Sequence, residues 1–242
     1  MTPAKIDIDL LAMGARAFDL DLSPAQLDQF ARYADLLIDW NLRFNLTSIV
    51  DPREIVIKHF LDSLSALRSI PPGPLKMIDV GAGAGLPGLP LKLARPEISL
   101  ALLEATRKKC DFLKAVIADL QLTNAQVINA RAEEAGRLVD HREQYDVAMA
   151  RAVAEMPTLM EHLLPFVRIG GLALAQKSKE AEKETQRAAA AIATLGGRLR
   201  EVMLVVVPEL NEARYLVAVE KIDRTPEKYP RRAGVPSKKP LL

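Results

Sequence analysis

Met77-Ile78-Asp79-Val80-Gly81-Ala82-Gly83-Ala84-Gly85-Leu86-Pro87-Gly88 is the segment from which the rest of this chain can be placed. A short apolar run carries an acid, three glycines alternate with alanines, and Leu89-Pro90-Leu91 then opens a helical pattern. Glycines at the end of a strand let the backbone turn sharply and approach a ligand with no Cβ in the way. A nucleotide-like cofactor is the ligand class that such a turn serves. A bare turn without a ligand is the plainer alternative.

Two cofactors compete for this turn. Gly83-Ala84-Gly85-Leu86-Pro87-Gly88 matches G-x-G-x-x-G, which would seat the pyrophosphate of NAD on a helix N-terminus. Pro87 opposes this because it has no N–H to offer a phosphate. Asp79 opposes it because its carboxylate repels one. S-adenosylmethionine has no phosphate and carries a cationic amine, which a carboxylate beside Gly83 and Gly85 suits. The next apolar run, Ile98-Ser99-Leu100-Ala101-Leu102-Leu103, ends in Glu104, 23 residues beyond Gly81. A ribose-binding acid is expected about 20 residues after the turn, and one carboxylate accepts from both ribose hydroxyls. The alternative is an ordinary exposed acid at a strand end.

Around the turn the chain alternates strands and helices. Strands are expected at 75–80, 98–103, 125–129, 145–150 and 172–176, and helices at 88–94, 106–120, 157–164 and 179–195. This alternation predicts an α/β fold with a doubly wound, mostly parallel sheet covered on both faces. Arg198–Val207 and Arg214–Ile222 read as two successive strands forming a hairpin on one sheet edge. Residues 1–70 read as a helical extension, in which Ser23-Pro24-Ala25-Gln26 is a capping box and Tyr33, Trp40 and Phe44 are packing aromatics. Residues 71–222 then form the main domain. Residues 223–242 are a polar, basic, proline-rich tail, expected to be only partly ordered.

Composition bounds the rest. With 242 residues, 49% of them hydrophobic, the chain is long enough for a sizeable core. Thirty-three basic and 31 acidic residues leave no global field, so any nucleic-acid site must be local. The single cysteine, Cys110, forms no internal disulfide, and its helical spacing with Leu113, Val116 and Leu120 marks a core thiol. No signal pattern and no long apolar run are visible, so a cytoplasmic protein without a membrane span is expected. His59, His141 and His162 have no metal-ligand spacing, so no metal site is expected.

In a doubly wound sheet, ligands sit outside the carboxyl ends of the strands. Ala132 and Glu133 follow the third strand, where they can meet an adenine ring, although a Glu-Glu pair is commonly a solvated helix start. Arg151 ends the fourth strand and Lys177 the fifth, on the same edge as the glycine turn, and two cations there point to a polyanionic substrate. In the tail, Arg231, Arg232, Lys238 and Lys239 flank prolines and Tyr229, an arm suited to RNA, with a solvated tail as the default.

These segments together resemble the bacterial small-subunit ribosomal RNA guanine-N7 methyltransferases called RsmG or GidB. The matching stretches are Trp40-Asn41…Phe44-Asn45-Leu46-Thr47, His59-Phe60-Leu61-Asp62-Ser63, the turn Ile78–Leu91, Arg95-Pro96-Glu97, Arg151-Ala152, and Lys228-Tyr229-Pro230-Arg231-Arg232…Gly234-Val235-Pro236. Members often have Thr-Gly-Pro where this chain has Ala82-Gly83-Ala84, a serine at Ala150 and a glycine at Ser178. The resemblance implies a Rossmann-like class I S-adenosylmethionine-dependent methyltransferase acting on 16S ribosomal RNA or the small ribosomal subunit, as a monomer. It implies that Gly81 and Leu86 line the cofactor pocket, that Glu104, Ala105 and Thr106 hold the ribose side, and that Ala132 and Glu133 meet the adenine. It places Arg151 in the pocket, with Arg151 and Lys177 at the reacting centre and His59 among the RNA contacts.

Guanine N7 already presents a lone pair, so its methylation needs positioning and no general base. The absence of a clear acid–base pair fits that chemistry. Methylation of a protein or small molecule, and a non-enzymatic RNA-binding module, are the competing readings.

Overall fold

The computed structural model describes residues 5–151 and 153–242, so Ala152 of the Arg-Ala pair lies outside the described residues. Seven strands form one sheet: β1 (Lys76–Val80), β2 (Ser99–Glu104), β3 (Ala125–Asn129), β4 (Tyr145–Arg151), β5 (Val167–Lys177), β6 (Gly197–Val205) and β7 (Arg214–Lys221). Their order is β3-β2-β1-β4-β5-β7-β6. The first five run parallel, and β7 is antiparallel to both β5 and β6. The terminal hairpin is therefore present, with its second strand inserted against β5.

Alternate residues of each strand serve opposite layers, as the two-residue period requires. Met77, Leu100, Leu102, Val147, Met149 and Leu174 face one core. Ile78, Val80, Ala101, Leu103, Ala148 and Ala173 face the other. Helix α1 (Ile8–Arg16) and helix α2 (Pro24–Asn41) share the first core with the sheet and with α4 (Gly88–Ala94) and α5 (Arg107–Asp119). Tyr33 of α2 stacks on Phe60 with ring centres 5.4 Å apart, and Trp40 meets Phe112 of α5 at 5.6 Å. The aromatics of the amino-terminal helices thus pack as expected from the sequence.

Between α2 and β1 runs α3, a continuous helical stretch over 52–68 in which Ile55–Leu61 is a π-helix. A π segment widens the helix locally and is frequent at functional sites. On the second face lie α6 (Ala132–Ala135), α7 (Met156–Leu163), α8 (Ala181–Arg187) and α9 (Ala189–Thr194). The single helix expected at 179–195 is broken at Ala188. Strand β5 starts five residues earlier than expected, with Gly170 at φ +80° beside the register shift between Tyr145 and Val147.

The tail departs most from expectation. Tyr229 is 6% exposed, and a short helix α10 (Val235–Lys238) packs on α7. Thr225, Arg231, Gly234 and Pro236 are hydrogen-bonded to Glu143, Glu161, Glu133 and Thr158 of the domain.

Candidate active site

Parallel pairing brings the carboxyl ends of five strands to one edge: Val80, Glu104, Asn129, Arg151 and Lys177. Because β7 runs the other way, its first residue, Arg214, joins the same edge, next to Tyr215, which pairs with Lys177.

The glycine turn leaves β1 with Gly81 and Ala82 both donating to the Leu103 carbonyl, at 2.8 and 3.0 Å. Gly83 and Gly85 have φ of +59° and +90°, which side-chain-bearing residues rarely adopt. A Cβ on Gly85 would also stand 2.3 Å from Leu89 Cδ1 and 3.0 Å from Tyr33 Oη. Glu104 supports the turn from β2: Oε2 accepts from the Gly83 N–H at 3.0 Å and Oε1 from the Thr106 N–H at 2.7 Å. Each oxygen keeps a second lone pair, so this orients the carboxylate without exhausting it. Ala105 and Thr106 are exposed beside it, and Leu86 is buried in the turn.

Asp79 is wholly buried below the turn. Its Oδ2 accepts from the Gly88 N–H at 2.8 Å, whereas Oδ1 has no partner. Burial pushes the carboxyl up to about 7, opposed by the Gly88 hydrogen bond and by Arg151. A buried carboxylate oxygen without a donor fits a cationic ligand group, which would hold Asp79 ionised. The amine of S-adenosylmethionine is such a group, and Glu104 beside it fits the ribose.

Beyond the turn, a cavity of about 490 Å³ opens between α3 and the ends of β4, β5 and β7. Its floor is Asp62, 3% exposed, whose Oδ2 accepts from Arg151 Nη1 and Oδ1 from Arg214 Nε, each at 3.0 Å. Arg151 Nη1 also donates to the Lys58 carbonyl at 3.2 Å. Gln176 fastens this part of α3 to the sheet through the Asp62 carbonyl, 2.6 Å away. His59 lies on the same wall with Nε2 2.9 Å from Thr47 Oγ1 and Nδ1 buried without a partner. Burial, then Arg151, pushes its pKa down to about 4, so the ring is neutral near pH 7. Cys110 is a buried core thiol, its Sγ 3.2 Å from the Glu104 carbonyl.

Several expected site residues are engaged elsewhere. Lys177 lines the cavity, but its ammonium donates to the Ala154 carbonyl at 3.0 Å and pairs with Glu184 at 2.6 Å. The Glu133 carboxylate accepts from the Gly234 N–H at 2.8 Å and lies 3.8 Å from His162 Nε2, so it faces the tail. Arg231 grips fully buried Glu161 through Nε and Nη2, which removes its guanidinium from the set available to phosphates. Arg232, Lys238 and Lys239 are exposed.

Asp62 and Arg214, which line the cavity, and Asn129, which braces the segment after β2, are not among the candidate residues expected from the sequence. The segment around His59 marked the region of Asp62. The expected hairpin makes its two strands antiparallel to each other, and the pairing of β7 with β5 is what brings Arg214 to the site edge. Asn129, the last residue of β3, donates to the Glu104 and Ala105 carbonyls at 3.0 and 3.1 Å. Among the described residues no three His, Cys, Asp or Glu side chains gather as a metal site, and no helix is long and apolar enough to cross a membrane.

A solved S-adenosylmethionine-dependent methyltransferase from Aquifex aeolicus shares the fold, with a TM-score of 0.52 at 15% identity over 70% of this chain and 94% of that one. A protein named ribosomal RNA small subunit methyltransferase G from Roseiflexus castenholzii is 49% identical over 97% of this chain and 100% of its own length. One of the same name from Pelotomaculum thermopropionicum is 47% identical over 94% and 96%. The family model GidB, described as rRNA small subunit methyltransferase G, matches residues 26–216, and with these relatives it establishes that the chain belongs to that family.

Proposed function

We propose that the protein transfers a methyl group from S-adenosylmethionine to N7 of a guanosine in 16S ribosomal RNA. The observation that carries this reading is the adjacency of two built features: a glycine turn over a buried acid with one unpartnered oxygen, and a cavity floored by the Asp62–Arg151–Arg214 cluster. Bound S-adenosylmethionine supplies an electrophilic methyl carried on a sulfonium.

Asp79 takes the cationic amine, and the free lone pairs of Glu104 take the ribose hydroxyls, with Gly81, Leu86, Ala105 and Thr106 around them. Ala132 meets the adenine through its backbone, and Glu133 fixes that helix. Arg151 and Arg214, held by Asp62 and, for Arg214, also by Glu212, present guanidinium groups to the anionic substrate. His59, kept neutral, forms part of the cavity wall on the RNA side. Lys177 shapes the cavity wall through Glu184. Residues 71–222 carry the transfer, 1–70 close the substrate cavity, and Arg232, Lys238 and Lys239 of the tail reach RNA phosphates.

The lone pair of N7 forms the new bond to the methyl carbon as the carbon–sulfur bond breaks, and the positive charge passes to the base. No proton needs to be removed first. The enzyme works as a monomer in the cytoplasm on 16S RNA or the small subunit. Purified protein, S-adenosylmethionine and unmodified small subunits should yield one N7-methylguanosine in 16S RNA, located by reduction and aniline cleavage. Transfer to another position, or to protein only, would overturn the proposal.

A further inference from the structure

We propose that residues 225–236 form a strap that positions α6, and through it the adenine side of the cofactor site; the second part rests on the placement of Ala132 given above. Helix α6 has only four residues, too short to hold itself in place, and the strap is bonded to both of its ends. At its start, Glu133 is 7% exposed and accepts from the Gly234 N–H at 2.8 Å. Gly234 has φ +79°, and this left-handed conformation belongs to the bend that presents its N–H. At its end, the Arg142 guanidinium bridges to the strap, donating to the Gly136 carbonyl at 3.1 Å, the Tyr229 carbonyl at 2.8 Å and the Thr225 carbonyl at 2.7 Å. A Cβ on Gly136 would stand 3.2 Å from Pro230, so strap and helix touch directly.

The strap is in turn anchored on α7, away from the glycine turn. Glu161 is fully buried and receives the Arg231 backbone N–H at 2.7 Å together with its guanidinium at 2.9 and 2.6 Å. Thr158, 4% exposed, donates to the Pro236 carbonyl at 3.1 Å. A bidentate pair on a buried carboxylate fixes geometry closely. Glu161, Arg231 and Thr158 thus act on the cofactor site as positioning residues, through the Gly234–Glu133 hydrogen bond.

The test uses the full chain with Arg231→Met and Glu161→Leu combined, which removes the clamp without stranding a buried charge. Thr158→Val is the milder companion should the double variant fail to fold. Amide exchange of the ligand-free protein should speed up over residues 132–137 and stay unchanged over the glycine turn, 81–88. S-adenosylhomocysteine should bind about tenfold more weakly to the double variant, and less severely so to Thr158→Val. Wild-type exchange over 132–137 in both variants would overturn the strap. Faster exchange with undiminished affinity would overturn its service to the cofactor. Wild-type protein that bound no S-adenosylhomocysteine would instead defeat the cofactor assignment, while the exchange data would still decide whether the strap holds α6.

Discussion

The Tyr33 hydroxyl donates its hydrogen to the Ala84 carbonyl inside the glycine turn. Tyr33 is fully buried on α2, and burial pushes its pKa well above the ordinary phenol value, so it remains a donor. The same helix reaches α4, where Gln26 Nε2 donates to the Leu93 and Ala94 carbonyls at 2.8 and 3.0 Å. Helix α2 therefore supports the glycine turn and the helix after it.

Tyr33→Phe keeps the ring packing and strands the Ala84 carbonyl. Stability should fall by about 1 kcal/mol, and the melting temperature by about 2–4 °C. S-adenosylhomocysteine affinity, measured by calorimetry, should fall several-fold. Unchanged affinity would show that the turn holds its shape without this bond.

Asp79 should make stability, and with it cofactor binding, depend on pH. Its pKa lies near 7 in the fold against an ordinary carboxyl value of 3.8. Between these values the folded state holds more protons than the unfolded one, so the contribution of Asp79 to stability is present below about 4 and is lost as pH rises through about 7. Asp79→Asn should remove that fall from the pH–stability curve. Cofactor affinity should run the opposite way, rising as pH increases to about 7, with proton release detectable in buffers of different ionisation enthalpy. Identical pH–stability curves for wild type and Asp79→Asn would refute this.

Removing Asp62 leaves two guanidinium groups facing each other with little solvent, so Asp62→Ala should cost about 3–5 kcal/mol of stability. Arg214→Ala leaves Asp62 paired with Arg151 and should be milder in denaturant melts. Its kcat/KM on RNA should nevertheless fall about ten- to a hundredfold, as expected when a charged hydrogen bond is removed. Arg214→Lys should restore little, because the Nε and Nη donors to Asp62 and Glu212 form a fork that an ammonium cannot reproduce. A loss of activity tracking the loss of folded protein would make Arg214 structural only.

The exposed tail cations should show themselves in salt dependence. Replacing Arg232, Lys238 and Lys239 together by alanine should flatten the log–log salt slope of RNA binding by about 2, near 0.7 for each phosphate of single-stranded RNA that is no longer neutralised. The melting temperature should hold, since these side chains face solvent. An unchanged slope would remove the tail from the RNA path.

Local signals along the chain were enough for the alternating order of elements, the helical start and the place of the glycine turn. Those signals are two-residue and helical periodicity, a capping box, and glycines where only positive φ closes the turn. The position of Glu104 beside that turn was equally legible, because a parallel sheet returns every strand end to one edge. Which side chains meet across long separations was settled by packing in three dimensions. Asp62 joins Arg151 and Arg214 because a π-helical segment, a parallel strand and an antiparallel strand converge at one edge. Glu133 is bonded to Gly234 and Arg231 to Glu161, since a buried carboxylate must find a donor wherever the fold supplies one. Charge and spacing along the chain announce that such groups exist, but only packing selects their partners.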